Sequence, residues 1–115
     1  LDLENNDLDG SIPPDLGNLQ LLNNLYLGSN RLTNVISSEI GNLRSVVNLD
    51  IYGNQLSSTL PTELANLPNL QSLQLGSNLL TGSIPFSLFE KLTNLQGTID
   101  VSDNQLTGII PTSVG

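Results

Sequence analysis

The sequence predicts an α/β solenoid, a curved rod whose inner, concave face is lined by one parallel sheet. The first observation is a recurring pattern in which two apolar residues flank a residue of another type. An asparagine follows three positions after the second apolar residue, and a leucine follows two positions after the asparagine. The second is its spacing, because successive copies begin 24, 24, 24 and 26 residues apart along the 115-residue chain. A constant period in this range indicates a repeat array, in which each repeat packs only against its neighbours.

Each repeat is expected to open on a short strand. In residues 24–28, for example, two leucines alternate with Tyr26 and Gly28, and an alternation of period two indicates a strand with one buried face. We predict strands near residues 24–28, 48–52 and 72–76. Their apolar residues should form one buried column, whose members are Leu25, Leu27, Leu49, Ile51, Leu73 and Leu75.

An asparagine is expected to turn the chain after each strand. Because a carboxamide donates and accepts hydrogen bonds at once, a buried asparagine can satisfy turn backbone groups in its own repeat and in the next. A long apolar residue two positions later then re-enters the core. The predicted structural ladder consists of Asn6, Asn30, Asn54, Asn78 and Asn104.

The rest of each repeat is expected to return along the convex face. Ile40, Leu43 and Val46 are spaced by three residues, which indicates 3₁₀-like or short helical turns. The fourth repeat carries two extra residues, one on the convex side near Glu90 and one beside the last strand at residues 95–97. Insertions in repeat proteins usually fall in loops, so we expect both to be tolerated there, with a binding loop as the alternative.

The whole chain is expected to be one repeat array. Repeats fall at about residues 1–24, 25–48, 49–72 and 73–98, and residues 99–115 form a partial repeat. A repeat array needs terminal caps with a polar outer face, and neither end of this sequence has one. We therefore expect the chain to be a piece of a longer protein.

The segment after the asparagine carries a resemblance to a known family. Residues 8–13 read Leu-Asp-Gly-Ser-Ile-Pro, residues 80–85 read Leu-Thr-Gly-Ser-Ile-Pro and residues 106–111 read Leu-Thr-Gly-Ile-Ile-Pro. This pattern resembles the leucine-rich repeat, in the subclass typical of plant receptors, although residues 32–37 lack both the glycine and the proline. The resemblance implies a right-handed superhelix with loops or 3₁₀ turns on its convex face.

The same resemblance implies a binding role. It points to the ectodomain of a receptor-like kinase or receptor-like protein, or to a secreted defence protein similar to the polygalacturonase-inhibiting proteins. In each case a protein or peptide ligand binds on the concave face, outside the cell or at its surface. The chain itself has no apolar run long enough to span a bilayer. The parent protein could still be anchored in a membrane or carry a kinase domain.

Composition argues against catalysis and against nucleic acid as a partner. The chain has no histidine and no cysteine, which removes Ser–His and Cys–His pairs and thiolate metal sites. Residues 5–10 imitate the start of a calcium loop, but Leu16 stands where the bidentate glutamate is needed. The net charge of −8 disfavours nucleic acid and favours basic partners. We therefore expect no enzyme, no metal site and no cofactor.

The concave face carries the candidate binding site. Residues between the buried leucines point to this face, and both tyrosines of the chain, Tyr26 and Tyr52, fall on it in adjacent repeats. A tyrosine offers a large contact area and a hydroxyl at a low entropy cost, and here both lie among carboxylates. The candidate partner-binding residues are Asp2, Glu4, Tyr26, Asp50, Tyr52, Gln74, Asp100 and Ser102.

Two alternative functions remain open. In the first, small hydroxyl residues after the asparagine form a flat ladder that binds ice or a glycan, with a spacing of about 4.8 Å. Some plant-type leucine-rich repeat proteins restrain ice. This alternative ladder consists of Thr33, Ser57, Thr59, Thr81 and Thr107, and Asp9 and Val35 interrupt it. In the second, the chain is a scaffold segment that binds nothing.

Overall fold

Parallel strands and short helices alternate along the chain. The computed structural model describes residues 1–94 and 97–108, and residues 92–94 by their backbone alone. In this part of the chain, the strands are β1 (Asp9–Ser11), β2 (Asn24–Tyr26), β3 (Arg31–Asn34), β4 (Asn48–Asp50), β5 (Gln55–Thr59), β6 (Ser72–Gln74), β7 (Leu79–Ser83), β8 (Thr98–Asp100) and β9 (Gln105–Thr107). The helical segments are 3₁₀ helices at Pro14–Asn18, Ser38–Asn42 and Thr62–Asn66 and an α-helix, α1, at Phe86–Asn94.

The predicted concave sheet consists of β2, β4, β6 and β8, which lie side by side and parallel. Its register advances by one repeat per strand, so that Leu25 pairs with Leu49 and Leu49 with Leu73. The first repeat joins this sheet through an isolated bridge between Asp2 and Tyr26. The predicted solenoid class and its parallel concave sheet are therefore confirmed.

The structure adds a second parallel sheet to the single sheet that the sequence predicted. It consists of β1, β3, β5, β7 and β9, which come from the segment after each asparagine. Thr33 pairs with Gln55 and Ser57 pairs with Leu79, so these residues pair across 22 positions instead of 24. The extended backbone of each repeat needs hydrogen-bond partners, and the same segment of the next repeat supplies them.

The hydrophobic core lies behind the concave sheet. The six side chains predicted to form a buried column are at most 4% exposed, which confirms the column. Ile40, Leu43 and Val46 of the convex turn are also buried, as their spacing of three requires. Each central repeat therefore contributes the same apolar layer to a continuous core.

Successive 3₁₀ helices approach each other through glycine. A Cβ atom placed on Gly17 would lie 2.3 Å from the carbonyl oxygen of Glu39, and one on Gly41 would lie 2.9 Å from that of Glu63. Such distances leave no room for a side chain, so both Leu/Ile-Gly-Asn-Leu segments depend on glycine. Ala65 occupies the corresponding position in the third repeat, where the neighbouring element is α1.

The fourth repeat differs from the loop that its extra residues predicted. Its convex segment is α1, which has nine residues, whereas the three 3₁₀ helices have five each. The extra residue near Glu90 lies inside α1, and the bond from Phe89 N to Pro85 O, at 3.4 Å, has the four-residue spacing of an α-helix. The other extra residue was assigned to residues 95–97, of which 95 and 96 lie outside the described residues.

Two positions in each repeat adopt a left-handed backbone conformation. Before the asparagine, these positions are Asn5, Ser29, Gly53, Ser77 and Asp103. After it, they are Gly10, Asn34, Ser58, Gly82 and Gly108. The second set explains the glycine of the Leu-x-Gly motif, because only glycine adopts a positive φ without steric strain. Asparagine tolerates this region better than most residues, which makes Asn34 an acceptable replacement at φ 67°.

Candidate functional site

The concave strands bring the first row of predicted residues together. Tyr26 pairs with Asp50, which pairs with Gln74, and Gln74 pairs with Asp100. The bridge from Asp2 to Tyr26 extends the row by one repeat. Since paired residues of parallel strands point to the same face, these side chains form one continuous row. Asp2 is exposed and the other four residues are half-buried, so the row is open to a partner.

The second row alternates large residues with glycines. Its members are Glu4, Gly28, Tyr52, Gly76 and Ser102. A Cβ atom placed on Gly76 would lie 3.1 Å from two ring carbons of Tyr52 and 3.0 Å from Ser102 Oγ. The Tyr52 ring therefore leans over Gly76, in space that a side chain would otherwise occupy, and Tyr52 remains 42% exposed.

The other glycine of this row, Gly28, lies beneath two carboxylates. A Cβ atom placed on it would lie 3.2 Å from Asp50 Oδ1 and 3.5 Å from Glu4 Oε1. Glu4 belongs to the first repeat and Asp50 to the third, so the two side chains converge above the second repeat. The sequence placed them in different rows, and their convergence depends on the missing side chain of Gly28.

A local backbone bond holds three of the candidate aspartates. Oδ1 of Asp2, Asp50 and Asp100 accepts from the N–H of the residue two positions later, at 3.1, 2.9 and 2.9 Å. A side-chain bond of this kind mimics a backbone turn. These carboxylates therefore shape the strand ends and also face the solvent, a second role that the strand pattern gave no reason to expect.

The carboxylates of this face differ in how well their charge is compensated. Partial burial raises the pKa of Glu4, and the negative charges of Asp50 and Asp2 raise it further. At the other end of the face, the hydroxyl of Ser102 donates to Asp100 at 2.6 Å. That bond and the one from the Ser102 N–H hold the pKa of Asp100 below its usual range. Negative charge is therefore less well compensated at Glu4 than at Asp100.

The basic residues of the chain all lie away from the two concave rows. Arg31 is in β3 of the second sheet, where it pairs with Asp7 at 3.0 Å. Arg44 follows the 3₁₀ helix Ser38–Asn42, and Lys91 is in α1. The concave rows therefore combine carboxylates, two tyrosines and small polar residues, without a cation.

The asparagine ladder fixes the turns at the ends of the concave strands. Asn54 Nδ2 donates to the carbonyl oxygen of Ile51 in its own repeat at 3.2 Å and to that of Leu27 at 3.0 Å, and its Oδ1 accepts from Leu32 N at 2.9 Å. Leu27 and Leu32 belong to the preceding repeat, so the bonds reach backwards and not to the next repeat as expected. The other members of the ladder also donate to carbonyl oxygens, and Asn30 and Asn78 are buried, Asn104 is half-buried and Asn6 is exposed.

The hydroxyl ladder of the ice-binding alternative follows the shifted register of the second sheet. Thr33 pairs with Gln55 and Thr59 pairs with Thr81, so hydroxyl residues at equivalent repeat positions are not paired with each other. Thr33, Ser57 and Thr81 are half-buried, while Thr59 and Thr107 are exposed. The register therefore staggers the ladder across the sheet.

Two further features concern metal sites and membrane-spanning helices. Within residues 1–94 and 97–108, no group of three or more acidic side chains is placed to hold a metal ion. Over the same described ranges, no helix is long and apolar enough to cross a membrane.

Comparison with protein families identifies the fold. A family model described as Leucine rich repeat matches residues 20–80, and a second model with the same description matches residues 1–19 and 98–115. The chain belongs to the leucine-rich repeat family. Among curated proteins, no relative matches it.

Solved structures similar to this leucine-rich repeat chain include plant receptors, which confirms the plant-type resemblance. A chain of the Arabidopsis receptor kinase HAESA in complex with the peptide hormone IDA and the co-receptor SERK1 is 33% identical, with a TM-score of 0.89 over 99% of this chain. A chain of the BIR3–SERK2 complex from Arabidopsis thaliana is 35% identical, with a TM-score of 0.89 over 99% of this chain. The plant peptide hormone receptor RGFR1 in complex with RGF2 is 38% identical, with a TM-score of 0.84 over 94% of this chain.

The leucine-rich repeat chain is much shorter than the peptide-hormone receptors that it resembles. It spans 19% of the HAESA chain and 17% of the RGFR1 chain. For the chain in the BIR3–SERK2 complex, the share is 60%.

Proposed function

We propose that this leucine-rich repeat chain is a recognition module that binds a protein or peptide on its concave face. The observation that carries the proposal is Tyr52, whose ring leans over Gly76 yet stays 42% exposed within an open polar row. Aromatic residues are enriched where proteins bind partners. Because the ring already rests against the sheet, little side-chain freedom is lost when a partner binds to it.

The similar solved structures support this proposal by analogy. HAESA was solved with a peptide hormone and a co-receptor, and RGFR1 was solved with RGF2. By the same analogy, we infer that the chain belongs to a larger receptor-like or secreted protein of signalling or defence, outside the cell or at its surface. In this proposal the chain itself binds and does not catalyse.

The proposal is tested by peptide selection against the full-length protein. Short random peptides displayed on phage are selected for binding, and the dissociation constants of the selected peptides are then measured for two variants. Tyr52→Ala should weaken binding by more than about fivefold, because it removes the exposed aromatic contact. Thr81→Ala, on the second sheet, is the matched control and should change the dissociation constant by less than about twofold.

Other outcomes would contradict the proposal in different ways. If neither substitution changes the affinity of any selected peptide, these concave residues are not the binding site and the chain acts as scaffold.

Thermal hysteresis is measured on the same variants. A loss of thermal hysteresis on Thr81→Ala, with none on Tyr52→Ala, would select the ice-binding alternative.

A further inference from the structure

The concave face is negative along its length. Its two rows contain the carboxylates of Asp2, Glu4, Asp50 and Asp100, and no residue of either row is basic. The three cations of the chain lie on the second sheet, after a convex turn and in α1. Complementary charge steers an encounter and suppresses wrong partners, so this face favours a cationic ligand.

Within the face, the negative charge is concentrated above Gly28. Glu4 Oε1 and Asp50 Oδ1 both lie within 3.5 Å of the point where a Cβ atom of Gly28 would be. The bond from Tyr52 N to Asp50 Oδ1, at 2.9 Å, fixes one carboxylate of this pair. The raised pKa of Glu4, caused first by partial burial and next by Asp50 and Asp2, reflects the same crowding. A cation bound to this carboxylate pair would neutralise both charges.

Asp100, the carboxylate at the C-terminal end of the first row, attracts a cation less strongly than Glu4 and Asp50 do. Asp100 already accepts from the Ser102 hydroxyl at 2.6 Å and from the Ser102 N–H at 2.9 Å. These donors compensate part of its charge, whereas the charge of Glu4 is opposed by neighbouring carboxylates. The carboxylate pair above Gly28 is therefore the position where a cation gains most.

Tyr52 supplies a contact next to this carboxylate pair. It stands one strand beyond Gly28 in the second row, a separation of about 4.8 Å across a sheet. An extended peptide that crosses the strands places alternate side chains on the same side about 6.6 Å apart. Because the Tyr52 ring leans towards Gly76 in the following repeat, it lies farther from Gly28 than one strand spacing. A peptide with its cation above Gly28 therefore brings the next side chain on that side to this ring.

We propose that the concave face binds an extended basic segment that crosses the strands, with an arginine or lysine side chain on the carboxylate pair of Glu4 and Asp50 and an apolar side chain two residues away on the Tyr52 ring. This inference rests on the proposed function, because it names the ligand chemistry of the same face. The carboxylate pair above Gly28 selects for charge, and the Tyr52 ring selects for the neighbouring apolar contact.

The test uses the displayed peptides and the full-length protein with three substitutions. Asp50→Asn keeps the Oδ1 acceptor for Tyr52 N and removes the charge, and Glu4→Gln removes the other charge at nearly constant shape. Asp9→Asn, in β1 of the second sheet, is the matched control outside the site. We expect selected peptides to be enriched in arginine or lysine, with an apolar residue two positions away. Replacing that arginine by citrulline, which has the same shape without charge, should weaken binding by at least about tenfold.

The double variant Glu4→Gln/Asp50→Asn should bind the arginine and citrulline peptides equally, while Asp9→Asn should keep the tenfold preference. The inference is overturned if the unsubstituted protein shows no enrichment or no citrulline effect. It is also overturned if Asp9→Asn loses the preference as fully as the double variant, because the effect would then be non-specific charge. Peptides that depend on Tyr52 but not on charge would overturn this inference alone, whereas peptides that depend on neither would also overturn the proposed function.

Discussion

At the scale of single residues, each buried ladder asparagine connects two repeats through one side chain. Asn54 donates to carbonyl oxygens of its own and of the preceding repeat, and it accepts from Leu32 N of the preceding repeat. Only a carboxamide combines donors and an acceptor in this way without carrying a charge. The residue type and its spacing were therefore enough to predict that the position is structural. The direction of the bonds, towards the preceding repeat, was not predicted because it depends on the stagger between neighbouring repeats.

We expect Asn54→Leu to destabilise the fold by about 1–3 kcal/mol or more, because it leaves buried backbone groups without partners. The free energy of unfolding is measured by denaturant titration of the full-length protein. Asn66→Leu, at an exposed position in a convex 3₁₀ helix, is the control and should change stability by less than about 0.5 kcal/mol. Equal losses for the two variants would show that the ladder is not structural.

The pKa of Asp100 depends on Ser102, so Ser102→Ala should raise it towards the ordinary value for an aspartate. Because the folded-state pKa lies below the unfolded one, this interaction stabilises the fold above the unfolded pKa and is lost as the pH falls through the folded pKa. Carbon-13 NMR titration of the carboxyl group measures the change, with Ser83→Ala on the second sheet as the control. An unchanged pKa in Ser102→Ala would rule out the hydroxyl as its cause.

Local side-chain contacts are the part of the candidate site that the sequence did not predict. Alternation along the strands was sufficient to place Tyr26, Asp50 and Gln74 in one row, because parallel pairing is in register. It could not reveal that Glu4 and Asp50 meet above Gly28, since that meeting depends on how side chains lean across a neighbouring repeat. Whether these residues bind a partner stays a prediction.

At the scale of elements, the packing of the convex helices is set by backbone approach. The glycines Gly17 and Gly41 face carbonyl groups of the next 3₁₀ helix, and Ala65 takes the same position before α1. The sequence showed the spacing of the buried residues in these turns but gave no sign of this approach, because it depends on the distance between coils. The second sheet was not predicted for a different reason. Its strands contain Gly10, Asn34 and Ser58, and residues of these types are typical of turns.

We expect Gly41→Ala to destabilise the fold by about 1–3 kcal/mol, because its methyl group would lie 2.8 Å from Glu63 Cβ and 2.9 Å from Glu63 O. The reverse change at the corresponding position, Ala65→Gly, is the control and should have an effect of about 1 kcal/mol or less. Thermal unfolding followed by circular dichroism compares the two variants. A Gly41→Ala protein as stable as the unsubstituted one would mean that the 3₁₀ helices can move apart freely.

At the scale of the whole molecule, the chain is a one-dimensional stack of similar layers. The concave sheet runs in the order β2, β4, β6 and β8, and the second sheet runs from β1 to β9 in the same direction. Stability in such a stack comes from each repeat and from the interfaces with its neighbours. The same geometry makes the candidate site a property of several repeats, because Glu4, Gly28 and Tyr52 come from three successive ones.

Leu49→Ala tests this description, because Leu49 is 1% exposed in the central strand β4. The lost contacts and the cavity should reduce the free energy of unfolding by about 2–5 kcal/mol. Leu79→Ala is the matched control, since Leu79 is 47% exposed and its loss should change stability little. Hydrogen exchange of the full-length protein should show the largest loss of protection at Leu27 N and Ile51 N, which bond to Asp50 O and Gln74 O beside the cavity. Amides of α1 should be affected less, because repeats interact only with their neighbours. A uniform loss of protection from β1 to β9 would show instead that the repeats unfold as one cooperative unit.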